Sequence, residues 1–113
     1  MTKYLISFPS GAMDFPDAEL QAVSDATHAV AEEAKAAGVW VFGGAIDESA
    51  PPVLVDGDGT VAAGTYPQTA QLDGGFSVLE LPSREAALEW AAKFAASCRC
   101  AQEVRAFLYD PAS

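Results

Sequence analysis

The apolar segments of this chain carry bulky side chains at both odd and even positions, and few folds can accommodate that pattern. The segments predicted as the main strands are Lys3 to Phe8, Val39 to Ile46, Phe76 to Leu81 and Glu103 to Tyr109. Successive side chains of a strand point to opposite faces of its sheet. Both faces of this sheet therefore carry apolar groups, and both need cover.

Two further segments have the periodicity of helices. The first follows Pro16 and ends at Gly38, and it has apolar or small residues three and four apart at Leu20, Val23, Thr27, Val30 and Ala34. The second starts after Ser83, a typical N-cap, and is predicted to end near Cys98. Its predicted buried stripe consists of Ala87, Ala91, Phe94, Ala95 and Cys98.

A β-hairpin is predicted between the second and third main strands. Val53 to Val55 and Thr60 to Ala63 flank a glycine-rich loop, Asp56-Gly57-Asp58-Gly59. The whole order of elements predicts one α+β domain over residues 1–113, with a ferredoxin-like antiparallel sheet and two helices on one face. Because the helices cover one face only, the other face predicts a sheet-to-sheet homodimer.

Five short segments, in this order and at this spacing, resemble those of a known family. They are Lys3-Tyr4, the stretch from Glu32-Glu33 to Ala36-Ala37-Gly38, Gly74-Gly75-Phe76, Ala87-Leu88-Glu89-Trp90-Ala91 and Glu103-Val104-Arg105. Together they resemble the YCII-related family, in the branch named for an Asp-Gly-Pro-Phe motif. The resemblance spans nearly the whole chain, and it implies a dimeric α/β barrel made from two ferredoxin-like halves.

The chain departs from the family in that central motif. The family's Asp-Gly-Pro-Phe, followed by Glu, Thr, Lys and Glu, is replaced by residues 63–71, which read Ala-Gly-Thr-Tyr-Pro-Gln-Thr-Ala-Gln. Only Gly64 and Thr69 align cleanly with the motif, and its charged positions have become Ala63, Gln68, Ala70 and Gln71. Chemistry that depends on those charges is therefore not expected here.

Charge and composition exclude several classes of function. Sixteen acidic and six basic side chains give a net charge of −10, which disfavours binding to nucleic acid or to an anionic membrane. No apolar run is long enough for a secretion signal or a membrane span, so a cytoplasmic protein is expected. Cys98 and Cys100 predict free thiols, and no ligand spacing predicts a metal or another cofactor.

His28 and Asp47 are the candidate catalytic residues. His28 is the only histidine, and an imidazole transfers protons near neutral pH. Asp47, like its neighbour Glu48, follows the second strand at the edge where a cleft of the sheet would open, and it could orient the imidazole or act as a base. The alternative for His28 is a solvated helix residue paired with Glu32, and for Asp47 a solvated loop carboxylate.

Tyr66, Gln68 and Arg105 are the candidate ligand-binding residues. Tyr66 and Gln68 occupy the segment that corresponds to the family motif, although Tyr66 could equally be a packing residue. Arg105 lies in the last strand, where its guanidinium needs an acceptor. That acceptor is either an anionic ligand or an internal carboxylate, Glu80 or Glu103.

Two functions follow from this pattern. One is a homodimer that holds a small apolar metabolite in a cleft, with weak cofactor-free proton transfer of the isomerase or lyase type. The other is a non-catalytic protein-interaction or regulatory domain, which the loss of the motif's charges favours. A pocket shared by His28, Tyr66 and a carboxylate would support the first function, and a packed cleft would support the second.

Overall fold

The structure is a computed structural model that describes all residues from Met1 to Ser113. The strands are β1 (Thr2–Phe8), β2 (Trp40–Ala45), β3 (Val53–Val55), β4 (Val61–Ala63), β5 (Gly75–Leu81) and β6 (Glu103–Ala106). The helices are α1 (Leu20–Ala36) and α2 (Arg84–Cys98), with short 3₁₀ turns at Ser10–Ala12, Asp17–Glu19 and Pro67–Thr69. The predicted order of helices and strands is confirmed.

The main sheet has four strands in the order β2-β5-β1-β6, and every neighbouring pair is antiparallel. This is the ferredoxin-like arrangement predicted from the sequence. β3 and β4 form a separate two-stranded sheet. The four-stranded sheet is open at β2 and β6, so the chain by itself forms no closed barrel.

The core lies between the helices and one face of the sheet. Alternate residues of the two central strands point into it, and small residues of both helices let the helices approach closely. The buried cluster contains Tyr4, Ile6, Leu79 and Leu81 from the strands and Ala34, Ala87, Ala91 and Phe94 from the helices. Both helices therefore cover the same face, as predicted.

The first helix differs from its prediction at the N-terminal end. Val23 and Ala34 are buried as expected, but Leu20 is 60% exposed. Leu20 is the first residue of α1, and no residue before Val23 in this helix is buried, so the buried stripe starts one turn later than the spacing predicts. The second helix begins as predicted, because Ser83 Oγ accepts a hydrogen bond of 3.1 Å from the Ala86 amide.

The last strand is shorter than predicted. β6 ends at Ala106, which pairs with Tyr4, and the Phe107 amide still donates to the Lys3 carbonyl oxygen at 2.9 Å. In this register Leu108 would lie opposite Thr2, where β1 begins. β6 therefore ends two residues before β1 does, and Leu108 and Tyr109 are exposed.

A bulge interrupts β2 between Trp40 and Phe42, just before the glycine pair Gly43-Gly44. The Trp40 indole lies over Gly43, where an added Cβ would sit 2.3 Å from the indole Cη2 atom. Gly43 is thus required for the indole to lie flat along its own strand. Beyond the bulge, Phe42 pairs with Val78 on the face of the sheet away from the helices.

We call this second face, with Leu5, Phe42, Phe76, Val78 and Arg105, the open face. Neither helix covers it, and only 14 of the 113 residues in the protein are buried.

The molecule measures 43 × 43 × 20 Å, and its radius of gyration of 15.7 Å exceeds the roughly 13 Å of a compact domain of this length. Neither helix has the length and apolarity to cross a bilayer.

Candidate functional site

A cleft of about 370 Å³ opens between α1 and the half of the sheet formed by β2 and β5. We call it the helix-side cleft. Its lining combines aromatic rings, small residues and a few polar side chains, among them Phe8, Thr27, His28, Ala31, Lys35, Trp40, Phe94, Cys98 and Gln102. This is the size and composition of a site for a small molecule.

The helix-side cleft has an apolar floor and a polar rim. Phe94 and Cys98 are buried at its floor, whereas His28 and Lys35 are exposed. His28, Ala31 and Lys35 lie three and four residues apart on α1, which places them on one face of the helix. Ala31 has the smallest side chain of the three, and it leaves space between the imidazole and the ammonium group.

His28 makes one hydrogen bond, between its Nδ1 atom and Ser24 Oγ at 3.5 Å. The predicted alternative partner, Glu32, instead accepts a bond of 3.0 Å from Lys35 Nζ. In the tautomer that carries its proton on Nδ1, His28 donates to Ser24 and leaves Nε2 free to accept a proton. The imidazole is therefore available for chemistry at the rim of the cleft.

The lining of the helix-side cleft contains Lys35 and His28 but no aspartate or glutamate. Glu32, which is not part of the lining, forms an ion pair of 3.0 Å with Lys35. The Lys35 ammonium also lies 5.7 Å from the centre of the Trp40 ring, a cation–π distance. In a protein with a net charge of −10, this lining is a local exception.

Asp47 lies apart from His28. No hydrogen bond joins the two residues, and Asp47 is not among the residues that line the four main clefts. Its carboxylate accepts bonds from the Ser49 hydroxyl at 2.6 Å and from the Ser49 amide at 3.0 Å. These bonds, the hydroxyl first, lower the pKa of Asp47 below its ordinary value and make it a weaker base.

The predicted ligand-binding residues lie on the other side of the sheet. Gln68 and Arg105 line a cleft of about 460 Å³ on the open face, together with Leu5, Phe76 and Glu103. We call it the open-face cleft. Arg105 bonds Glu103 at 3.2 and 3.4 Å, whereas the alternative partner Glu80 lies 3.6 Å from Lys3. Of the two internal partners predicted for Arg105, Glu103 is therefore the one it meets.

Tyr66 lines neither of these two clefts. Tyr66 is 67% exposed, and only its carbonyl oxygen is bonded, by the hydroxyl groups of Thr65 and Thr69 and by the Thr69 amide. The structure therefore groups Gln68 with Arg105, and it leaves His28, Asp47 and Tyr66 in three other places. A pocket shared by His28, Tyr66 and a carboxylate is not present, but the cleft beside His28 is open and not packed.

Several residues of the helix-side cleft were not predicted as site residues. The sequence places Trp40 in a strand and Phe94 and Cys98 in the core. The spacing of His28, Ala31 and Lys35 on one face of α1 is the sequence signal that indicates a cleft here.

Cys98 Sγ lies 3.5 Å from Thr27 Oγ1. Both cysteines are free, and burial, followed by the proximity of Cys98, raises the pKa of Cys100.

The model of the YCII-related domain matches residues 5–106, which include both clefts' central residues and all six strands in whole or in part. The chain belongs to the YCII-related domain family. No curated protein matches this YCII-related chain. The matched range contains all five predicted site residues, His28, Asp47, Tyr66, Gln68 and Arg105.

Proposed function

We propose that this YCII-related protein is a homodimeric small-molecule-binding protein. Its helix-side cleft holds a small apolar metabolite, and His28 performs weak proton transfer of the isomerase or lyase type without a cofactor. The observation that carries the proposal is the position of the only histidine at the rim of an apolar cleft of about 370 Å³.

The proton transfer needs only groups that the protein contains. Neutral His28 Nε2 accepts a proton from a carbon next to a carbonyl group, and the electrons of the broken C–H bond form an enolate. The imidazolium then returns the proton to the same carbon or to another, which exchanges or isomerises the ligand. Asp47 takes no part in this step, since its carboxylate is bonded to Ser49.

The lining also favours one class of ligand. Because Lys35 and His28 are cations or potential cations and no carboxylate faces the cleft, a carbonyl, enolate or carboxylate oxygen is favoured over an amine. The rings of Phe8, Trp40 and Phe94 favour an apolar body. An apolar carbonyl compound meets both requirements.

Binding is tested by the fluorescence of Trp40. The background variant Trp90→Phe leaves Trp40 as the only tryptophan, and Trp40 lines the cleft whereas Trp90 does not. We expect 2-naphthol to quench Trp40, and Ala31→Leu to abolish quenching by filling the cleft. The matched control is Ala29→Leu, an exposed residue of the same helix that does not line the cleft. Equal loss of quenching in both variants would contradict binding in the cleft. The absence of quenching by 2-naphthol in the Trp90→Phe background would contradict it as well.

Proton transfer is tested by hydrogen exchange at the acidic carbon of 2-tetralone in deuterated water. We expect the protein to accelerate exchange about 10²-fold or more over buffer, the ordinary contribution of a general base, and His28→Gln to remove the effect. Asp47→Asn is the control, because it leaves His28 and the cleft unchanged. A His28→Gln variant that exchanges as fast as the wild type rules out His28 as the base.

The homodimer is supported by the open face. Leu5, Phe42, Phe76 and Val78 present apolar side chains there, and no other element of the chain covers them. We expect sedimentation to give twice the mass of the chain. Val78→Lys should produce a monomer, whereas Leu88→Lys, at an exposed apolar position on α2, should leave the dimer intact. A wild-type monomer at micromolar concentration would contradict the homodimer.

A non-catalytic interaction domain is the second candidate. It is supported by the segment that replaces the family motif, where Gln68, Thr69 and Gln71 line the open-face cleft with neutral side chains. Failure of both cleft experiments in a protein that still dimerises would favour this candidate over the first.

A further inference from the structure

The β3–β4 hairpin projects from the body of the protein. We call residues 52–64 the arm, because its base is closed by a bond of 3.1 Å from the Gly64 amide to the Pro52 carbonyl oxygen. Its strands pair with each other and with no strand of the main sheet. An isolated two-stranded hairpin is marginally stable in water, so an arm of this kind needs a surface to pack against.

One face of the arm is entirely apolar. Val53 pairs with Ala63 and Val55 with Val61, and these four side chains point to the same side. The three valines are 54, 64 and 60% exposed in chain order. The tip carries Asp56 and Asp58, which keep that end in solvent. The opposite face carries Leu54, which is half-buried, and Ala62, so the side with the three valines is the more exposed of two apolar sides.

The arm begins beside the open face. Thr69 and Leu72 line the open-face cleft, and they also line a groove at the root of the arm with Pro52 and Thr65. A molecule seated on the open face therefore lies next to the arm. The two apolar surfaces are neighbours and can meet a single partner.

The area of the open face indicates which partner this is. The four strands are about 4.8 Å apart and four to seven residues long, so the flat area of the sheet is roughly 400 Å². Each subunit of a stable dimer buries roughly 800 Å² of accessible surface, about twice that figure. In a two-fold dimer each protomer adds its own arm and the surface that its partner's arm covers. The arm therefore supplies area that the sheet lacks.

We propose that the apolar face of the arm packs against a second copy of this chain and completes the homodimer interface. This inference rests on the homodimer proposed above. It assigns residues 52–64 to association and not to ligand binding, and it makes each protomer clasp its partner beside the stacked sheets.

The test compares the two faces of the arm. The triple variant Val53→Thr, Val55→Thr, Val61→Thr removes the apolar stripe while it keeps β-branched residues that favour strands. The control, Leu54→Thr with Ala62→Thr, places hydroxyl groups on the opposite face of the same hairpin. We expect the triple variant to raise the dissociation constant of the dimer on the order of 100-fold, as measured by sedimentation equilibrium. The control should raise it less than about 5-fold.

The outcomes separate the arm from the dimer itself. A wild-type dimer with equal dissociation constants in the triple and control variants would overturn the role of the arm and leave the homodimer standing. A monomeric wild type would overturn the homodimer first. Deletion of residues 53–63 with a Gly-Gly link is a second test, in which we also expect a weaker dimer. The core residues lie outside the deleted segment, and in the Trp90→Phe background the fluorescence of Trp40 reports their folding.

Discussion

Gly74 is the position where the backbone leaves least room. It is buried immediately before β5, and an added Cβ would lie 1.8 Å from the Phe8 carbonyl oxygen. Since real Cβ atoms essentially never come within 3.0 Å of another heavy atom, the substitution Gly74→Ala requires a movement of at least about 1.2 Å between two backbones. Neither backbone is a flexible side chain that can turn aside.

The cost can be estimated from what that movement disturbs. Phe8 pairs with Gly75 at the end of the β1–β5 ladder, so separation of the chains breaks one or two hydrogen bonds of about 1 kcal/mol each. Overpacking adds about 1–3 kcal/mol. Alanine also restricts the unfolded chain, which returns about 0.4–1 kcal/mol. We therefore expect Gly74→Ala to lower the free energy of unfolding by about 1–5 kcal/mol.

Two other glycines provide the comparison. Gly11 has nothing within 4 Å of its added Cβ and no positive φ, so Gly11→Ala should change stability by less than about 0.5 kcal/mol. At Gly75 the added Cβ would lie 2.7 Å from the Phe8 ring, which can move, so its cost should be intermediate. Urea denaturation at one fixed protein concentration measures all three. Equal stability of Gly74→Ala and Gly11→Ala would refute the argument.

Two further predictions concern ionisable groups. Asp47 should titrate below its ordinary pKa of 3.8, and Ser49→Ala should move that pKa upward, as followed by carboxyl carbon NMR. Because folding lowers this pKa, the contribution of Asp47 to stability is complete above pH 3.8 and is lost as pH falls through the folded value; an unmoved signal in Ser49→Ala contradicts this. Cys100 should react with iodoacetamide near pH 8 more slowly than an unstructured peptide thiol, since its pKa is raised by burial and by Cys98. Equal rates in folded and urea-unfolded protein would contradict that cause.

Periodicity predicted the fold well, because strands and helices have different spacings and this chain keeps both. The opposite orientation of Phe76 and Leu79 in β5 is confirmed by the burial of Leu79 in the core and by the place of Phe76 in the open-face cleft. The errors fall at ends. Leu20 has the spacing of a buried residue but no element to cover it, and β6 stops at Ala106 although β1 continues to Thr2. The exposure of Leu20 depends on contacts between elements, and the spacing of apolar residues along the sequence does not reveal those contacts.

The site was harder to predict, because it depends on which faces meet. Gln68 and Arg105 are far apart in sequence, yet both were predicted to bind a ligand and both line the open-face cleft. His28 and Asp47 were both candidate catalytic residues, and the sequence left open whether they meet. In the structure they share no hydrogen bond and no cleft, and the Asp47 carboxylate bonds Ser49 instead. The position of a loop carboxylate is set by local hydrogen bonds that hydrophobic periodicity cannot reveal.

The two glycines before β5 link the family resemblance to the architecture. Gly74-Gly75-Phe76 was one of the segments that resembled the family, and the structure gives a reason for each residue. Gly74 lets the Phe8 carbonyl approach, Gly75 leaves room for the Phe8 ring, and Phe76 lines the open-face cleft. Phe8 itself lines both clefts. The same close approach that joins β1 to β5 therefore also shapes the walls of the helix-side and open-face clefts, so a substitution here should disturb ligand binding and dimerisation together.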